Sequence, residues 1–169
     1  MQINVSQLLK DIVGATREYE IKDAFTDTDG NTSPIQGKVK LTHTQRGILV
    51  KGNLQTGAVL NCSRCLCQFH APIRIALEEE YAQLVDVTSG TPLPLPGEAG
   101  TFTIDEHHIL DLTEAARQYR ELAIPMKPLC DEDCAGLCPS CGANLNQGTC
   151  SCPPVVIDPR WANLIKQNK

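Results

Sequence analysis

At 169 residues, with 41% hydrophobic residues, the chain has enough material for one buried core, with or without a small appendage, and is not disordered. A formal net charge of −5 excludes a broad electrostatic grip on nucleic acid. The opening MQINVSQLLKDIVG lacks a basic n-region and a long apolar run, so no secretory signal is expected, and no window approaches the ~18 apolar residues of a membrane span. With nine cysteines, an odd number, a cytoplasmic, reducing setting is expected, in which clustered thiols are more often ligands than disulfides.

In chain order, Val5, Leu8, Leu9, Ile12 and Val13 share one helical stripe. Asn4 offers a cap with Gln7 three residues on, and Gly14 offers a stop. An extended segment starts at Glu18 to Ile21, followed by a polar loop, DTDGNTSPIQG. From Lys38 the period is two: Val39, Leu41 and His43 alternate with Lys38, Lys40 and Thr42. A turn at Gln45 to Gly47 leads to a strand through Ile48, Val50 and Leu54, with Gly52 at a point of bulging or close packing. Thr56-Gly57 predicts a further turn, with Ala58 to Cys62 returning as another strand. After a corner at Cys62 to Cys65, Phe69 to Glu78 alternates again, and Pro72 marks that strand as an edge or a late starter.

The stretch from 86 to 101 is rich in proline and glycine and predicts an exposed loop. A short strand from Thr101 to Ile104 precedes a helix capped by Asp111, with Glu114 in its first turn. The apolar face of this helix is Leu112, Ala115, Ala116, Tyr119, Leu122 and Ala123, and Pro125 ends it. The tail VVIDPRWANLIKQNK predicts a turn and a terminal helix with Trp161, Leu164 and Ile165 inward. The expected fold is α+β: an antiparallel β-meander, able to curl toward a barrel, with two or three short helices. The core spans 1–125, and a cysteine-rich zinc hook with the terminal helix spans 126–169.

That hook holds Cys130, Cys134, Cys138, Cys141, Cys150 and Cys152. Its centre reads LCPSCG, a tight knuckle whose backbone N–H groups point at sulfur and favour thiolates able to bind Zn2+. Two ligand sets fit the spacing. One joins Cys138 and Cys141 to Cys150 and Cys152 and leaves Cys130 and Cys134 as a second pair. The other joins Cys130, Cys134, Cys138 and Cys141, and six thiolates could also share two metals. An all-cysteine shell leaves no open position for water, so the metal is expected to be structural rather than catalytic. Cys62 and Cys65, with Cys67 next but one, form either a second metal half-site, alone or completing one of the C-terminal pairs, or a buried thiol pair.

Other polar residues carry less. His107 and His108 are adjacent and would face opposite ways in a strand, and Glu78 to Glu80 reads as a solvated strand end. Lys38, Lys40 and Lys51 could form a local positive patch on the meander, whereas Lys166 and Lys169 are too few to make one.

Taken together, INVSQLLKDIVGATREYEI, RGILVKGNLQTGAVLNCSRCL, FTIDEHHILDLTEAARQYRELAIPMKPLC and DCAGLCPSCGANLNQGTCSC with IDPRWANL closely resemble the YceD family of large ribosomal RNA subunit accumulation proteins. The resemblance implies a bacterial cytosolic, non-enzymatic factor in the synthesis, processing or stability of 23S ribosomal RNA. Its expected partners are large-subunit components, a ribosomal protein or precursor rRNA, with no small-molecule substrate and no membrane. In it Cys62 and Cys65 carry the family's central C-x-R-C motif. The six C-terminal cysteines match a motif that some branches lack, which implies an accessory stabiliser. A zinc-ribbon-like interaction module of another assembly, or a thiol redox protein using Cys62 and Cys65, are the alternatives.

Overall fold

The structure is a computed structural model that describes residues 1–26, 30, 32–94 and 100–153. The tail helix with Trp161, Leu164 and Ile165, the pair Lys166 and Lys169, and parts of the two polar loops lie outside the described residues. Contacts divide the chain into two compact units, Met1–Leu60 with His70–Met126, and Asn61–Phe69 with the chain from Lys127 on.

The first unit is built on four long strands in sequence order: β2 (Thr16–Thr26), β3 (Thr32–His43), β4 (Gly47–Asn61) and β5 (Gln68–Gln83), preceded by β1 (Gln2–Asn4) and α1 (Ser6–Lys10). Short strands β6 (Thr103–Ile104) and β7 (Ile109–Asp111) lead into α2 (Thr113–Ala123). The main sheet runs β2-β3-β4-β5-β6, while β1 and β7 form a separate antiparallel pair. Strands β2–β3 and β3–β4 are antiparallel, but β6 joins β5 in parallel, so the sheet is mixed. It does not close into a barrel among the described residues; the expected meander is present as an open sheet.

Alternation builds the core. Ile35, Val39 and Leu41 of β3, Ile48, Val50 and Leu54 of β4, and Ile73, Ile75 and Leu77 of β5 point to one side. There they join Val5, Leu8 and Leu9 around α1 and Leu110, Leu112, Ala115 and Ala116 around α2 in one cluster. Gly52 fulfils the close-packing expectation, since a Cβ there would lie 2.6 Å from Val39 Cγ1. Strand β5 borders β6 only at Ala82 and Gln83, so Pro72 lies along an otherwise open edge, where its missing N–H is tolerated.

Four expectations need correction. Helix α1 stops at Lys10, leaving Ile12 and Val13 exposed. Asn4 does not cap it: the cap position is Val5, with no side-chain cap bond, and Asn4 Oδ1 accepts from Ser6 N and Oγ, while the Asp11 N–H closes back on Leu8 O and Gly14, at φ +95°, donates to His43 O. The polar loop after β2 is shorter than expected: pairing continues to Thr26↔Thr32, because Ile35 extends the buried alternation of β3 back past Gly37. Thr56-Gly57 makes no turn. Leu54, Thr56 and Ala58 stay on the buried face, Gly57 simply points outward, and β4 runs unbroken for 15 residues. On α2, Leu122 and Ala123 are exposed and Arg120 is buried, so the inward stripe drifts off the last turn.

Candidate metal centres

The corner between β4 and β5 is a knuckle. Cys62 N donates to Cys67 O (2.9 Å), Leu66 N donates to Cys62 O (2.9 Å), and Leu66 takes the left-handed conformation at φ +61°. The same frame recurs 76 residues later in sequence number: Cys138 N donates to Ala143 O (2.8 Å), Gly142 N donates to Cys138 O (2.9 Å), and Gly142 has φ +74°. Each frame is a C-x-x-C whose first carbonyl is closed by the residue after the second cysteine, which must therefore turn left-handed. Glycine does this freely at 142; leucine does it at 66 with its side chain two-thirds exposed.

Each knuckle collects a second pair of thiols. The Sγ atoms of Cys62, Cys65, Cys130 and Cys134 lie within 4.8 Å of one another, as do those of Cys138, Cys141, Cys150 and Cys152. Individual separations are 3.7 Å for Cys62–Cys134, 3.6 Å for Cys65–Cys130 and 3.4 Å for Cys150–Cys138. A tetrahedral thiolate shell with metal–sulfur bonds of about 2.3 Å has edges of about 3.8 Å. The donor sets and spacings therefore fit a divalent soft cation, two sites per chain. All nine cysteines are free thiols, with no disulfide among them.

Local bonding prepares the first sulfur of each knuckle. Amide N–H groups, that of Cys65 foremost, bring Cys62 down to about 6 although burial opposes them, and Arg64 N donates to its sulfur at 3.4 Å. At Cys138 the amide of Cys141 leads the same effect, again to about 6. One thiol of each second pair shifts the other way: burial pushes Cys130 up, and sharing with the Cys141 thiol pushes Cys152 up to about 12. Each cluster thus sets one thiol shifted toward ionisation, Cys62 or Cys138, beside one shifted away from it, Cys130 or Cys152.

Residues outside the expected set support the first cluster. Arg64 Nη1 donates to Cys134 O (2.9 Å) and Glu132 O (3.1 Å), tying the loop that carries Cys130 and Cys134 to the knuckle. Ser63 N donates to Pro128 O (2.8 Å) on the same loop. Asn146 Nδ2 donates to Cys134 Sγ (3.3 Å), while its Oδ1 accepts from Ala135 N (2.7 Å). Cys62, Cys65 and Cys134 form a small buried cluster with Phe69, Leu129 and Leu137 against it. Arg64 had a sequence signal, its place inside C-x-R-C; Asn146 had none.

Of the sequence alternatives, the structure brings together Cys138, Cys141, Cys150 and Cys152, and completes the remaining pair, Cys130 and Cys134, with Cys62 and Cys65. It does not bring Cys130 and Cys134 into one four-thiol set with Cys138 and Cys141. His107 and His108 are in neither set. Lys38, Lys40 and Lys51 do share a sheet face, but register sets Lys38 opposite Glu20 and Lys40 opposite Glu18, and Lys51 pairs with Glu78 at 2.6 Å. The patch is charge-compensated. No helix of the described residues is long and apolar enough to cross a membrane.

The chain is 33% identical over 128 residues to an uncharacterized protein of Mycobacterium bovis, covering 76% of this chain and 59% of that one. It is 28% identical over 134 residues to one of Mycobacterium leprae, covering 78% and 58%. The Arabidopsis thaliana protein named large ribosomal RNA subunit accumulation protein YCED homolog 1, chloroplastic, is 26% identical over 152 residues, covering 78% of this chain and 47% of that protein. The chain thus spans less than two thirds of the length of these relatives. No solved structure matches. Residues 50–166, which include both knuckles and every cysteine, match the family described as large ribosomal RNA subunit accumulation protein YceD, and the chain belongs to that family.

Proposed function

We propose that the protein is a non-enzymatic factor in the accumulation of 23S ribosomal RNA that binds a basic ribosomal protein, with two structural Zn2+ ions holding its second unit in shape. The family match over residues 50–166 carries the ribosomal reading. Charge favours a protein partner over bare RNA. The chain is at −5, each four-thiolate site around a divalent ion adds about two negative charges, and the sheet lysines face glutamates. The four-thiolate geometry supports Zn2+ in a structural role, because sulfur fills every position of the shell and leaves none for a reacting water. Cys62 and Cys65 gather with Cys130 and Cys134 into one four-sulfur set, which favours the metal reading over a thiol oxidoreductase.

Depleting the protein in its source cells tests the reading. The ratio of 23S to 16S rRNA falls and is restored by the wild-type chain, and crosslinked partners include a large-subunit ribosomal protein. An unchanged ratio on full depletion refutes it.

A further inference from the structure

A ninth thiol, outside both four-cysteine sets, lies against the first of them. Cys67 Sγ is 3.1 Å from Cys65 Sγ, closer than any other sulfur pair given above, and Cys67 is half-buried rather than turned to solvent. The knuckle frame holds it there: Cys67 supplies the carbonyl that accepts from Cys62 N, so its backbone is fixed to that of the first ligand. The equivalent residue of the second knuckle is Ala143, whose methyl group offers no donor atom. Only the first knuckle carries a thiol at this place.

Resting on the metal reading above, we infer that Cys67 is an interchangeable ligand for Cys65, so that the first site has five sulfurs for four positions. The Cys65 and Cys67 sulfurs touch at 3.1 Å, and either can carry the proton between them. In the exchange the metal–Cys65 bond breaks, the metal–Cys67 bond forms, and the proton passes from Cys67 to Cys65. Four thiolates remain on the metal before and after, so the swap changes neither net charge nor redox state. Such a step needs two sulfurs within a proton's transfer distance, which the 3.1 Å separation provides. The site can then lose its grip at one position without losing the metal, unlike the second site.

Counting zinc per chain by native mass spectrometry on the full-length, zinc-loaded protein tests this. Wild type and Cys67→Ala hold two ions. Cys65→Ala also holds two, because Cys67 takes the vacant position, whereas Cys62→Ala and the double variant Cys65→Ala/Cys67→Ala hold one. A Cys65→Ala protein that holds one ion, like Cys62→Ala, overturns the inference. Wild type with fewer than two ions instead removes the metal reading on which it stands. Should a single-ion variant misfold, loading the proteins with Co2+ and comparing the visible bands of tetrahedral thiolate coordination gives the same decision: Cys65→Ala keeps the wild-type intensity if Cys67 substitutes, and loses about half if it does not.

Discussion

Leu66 and Gly142 occupy the same place in two knuckles with the same hydrogen-bond frame, yet one is free to turn left-handed and the other is not. Adding a Cβ at Gly142 meets no atom within 4 Å, so the cost of Gly142→Ala is conformational, about 1 kcal/mol. Leu66→Gly removes a comparable strain, and at 66% exposure the leucine surrenders little burial. Urea unfolding of the zinc-loaded proteins places Leu66→Gly at or above wild type and Gly142→Ala below it. Asn146 acts through Cys134: its Nδ2–H donates to the sulfur and fixes its position, and its carbonyl oxygen accepts from the Ala135 amide. Asn146→Ala lowers zinc affinity about 10-fold at the first site and leaves the second unchanged, as read by chelator competition. Neither role was legible beforehand. The cysteines and the C-P-S-C-G turn announce themselves in sequence, whereas a single asparagine among polar loop residues acquires meaning only when folding sets it beside a sulfur.

At the scale of elements, the strands were legible wherever burial alternates and misread wherever a turn-former sits inside an alternating run. Thr56-Gly57 and Ser33-Pro34 look like turns, but tertiary pairing overrides local preference, since breaking the run would expose Ile35 or Ala58. The glycines separate by the same logic. A Cβ at Gly37 would collide with Asn53 O and come within 2.8 Å of Leu54 Cα, whereas one at Gly57 meets nothing within 4 Å. Gly37→Ala therefore destabilises the protein by about 2 kcal/mol or more, and Gly57→Ala is neutral or stabilising by about 0.5 kcal/mol, as measured by chemical denaturation. On α2, the Arg117 side chain donates to both Glu114 carboxylate oxygens (2.9 and 2.6 Å) and to Glu121 (2.7 Å). The Arg117 bonds hold Glu114 at about 2, below its ordinary value of 4.5. A depressed carboxylate stabilises the fold above its unfolded value and loses that contribution as pH falls from 4.5 toward 2. The advantage in Tm of wild type over Glu114→Gln accordingly shrinks across that window.

Across the whole molecule, sequence order hides the second unit. Residues 61–69 and the chain from 127 on belong together although the long β5 strand and α2 intervene, and among the described residues sulfur, rather than a large apolar core, makes the link. Among the described residues, that unit's core cluster has three buried members, all cysteines, too few to hold those residues together by burial alone. Spacing could pair cysteines within the tail. It could not place Cys62 and Cys65, more than sixty residues earlier, in the same shell as Cys130 and Cys134. X-ray absorption at the zinc edge, combined with metal quantification on the purified chain, tests this most directly. The account predicts two zinc ions per chain, each with four sulfur neighbours at about 2.3 Å. One zinc per chain, or a first shell containing nitrogen or oxygen, would contradict it.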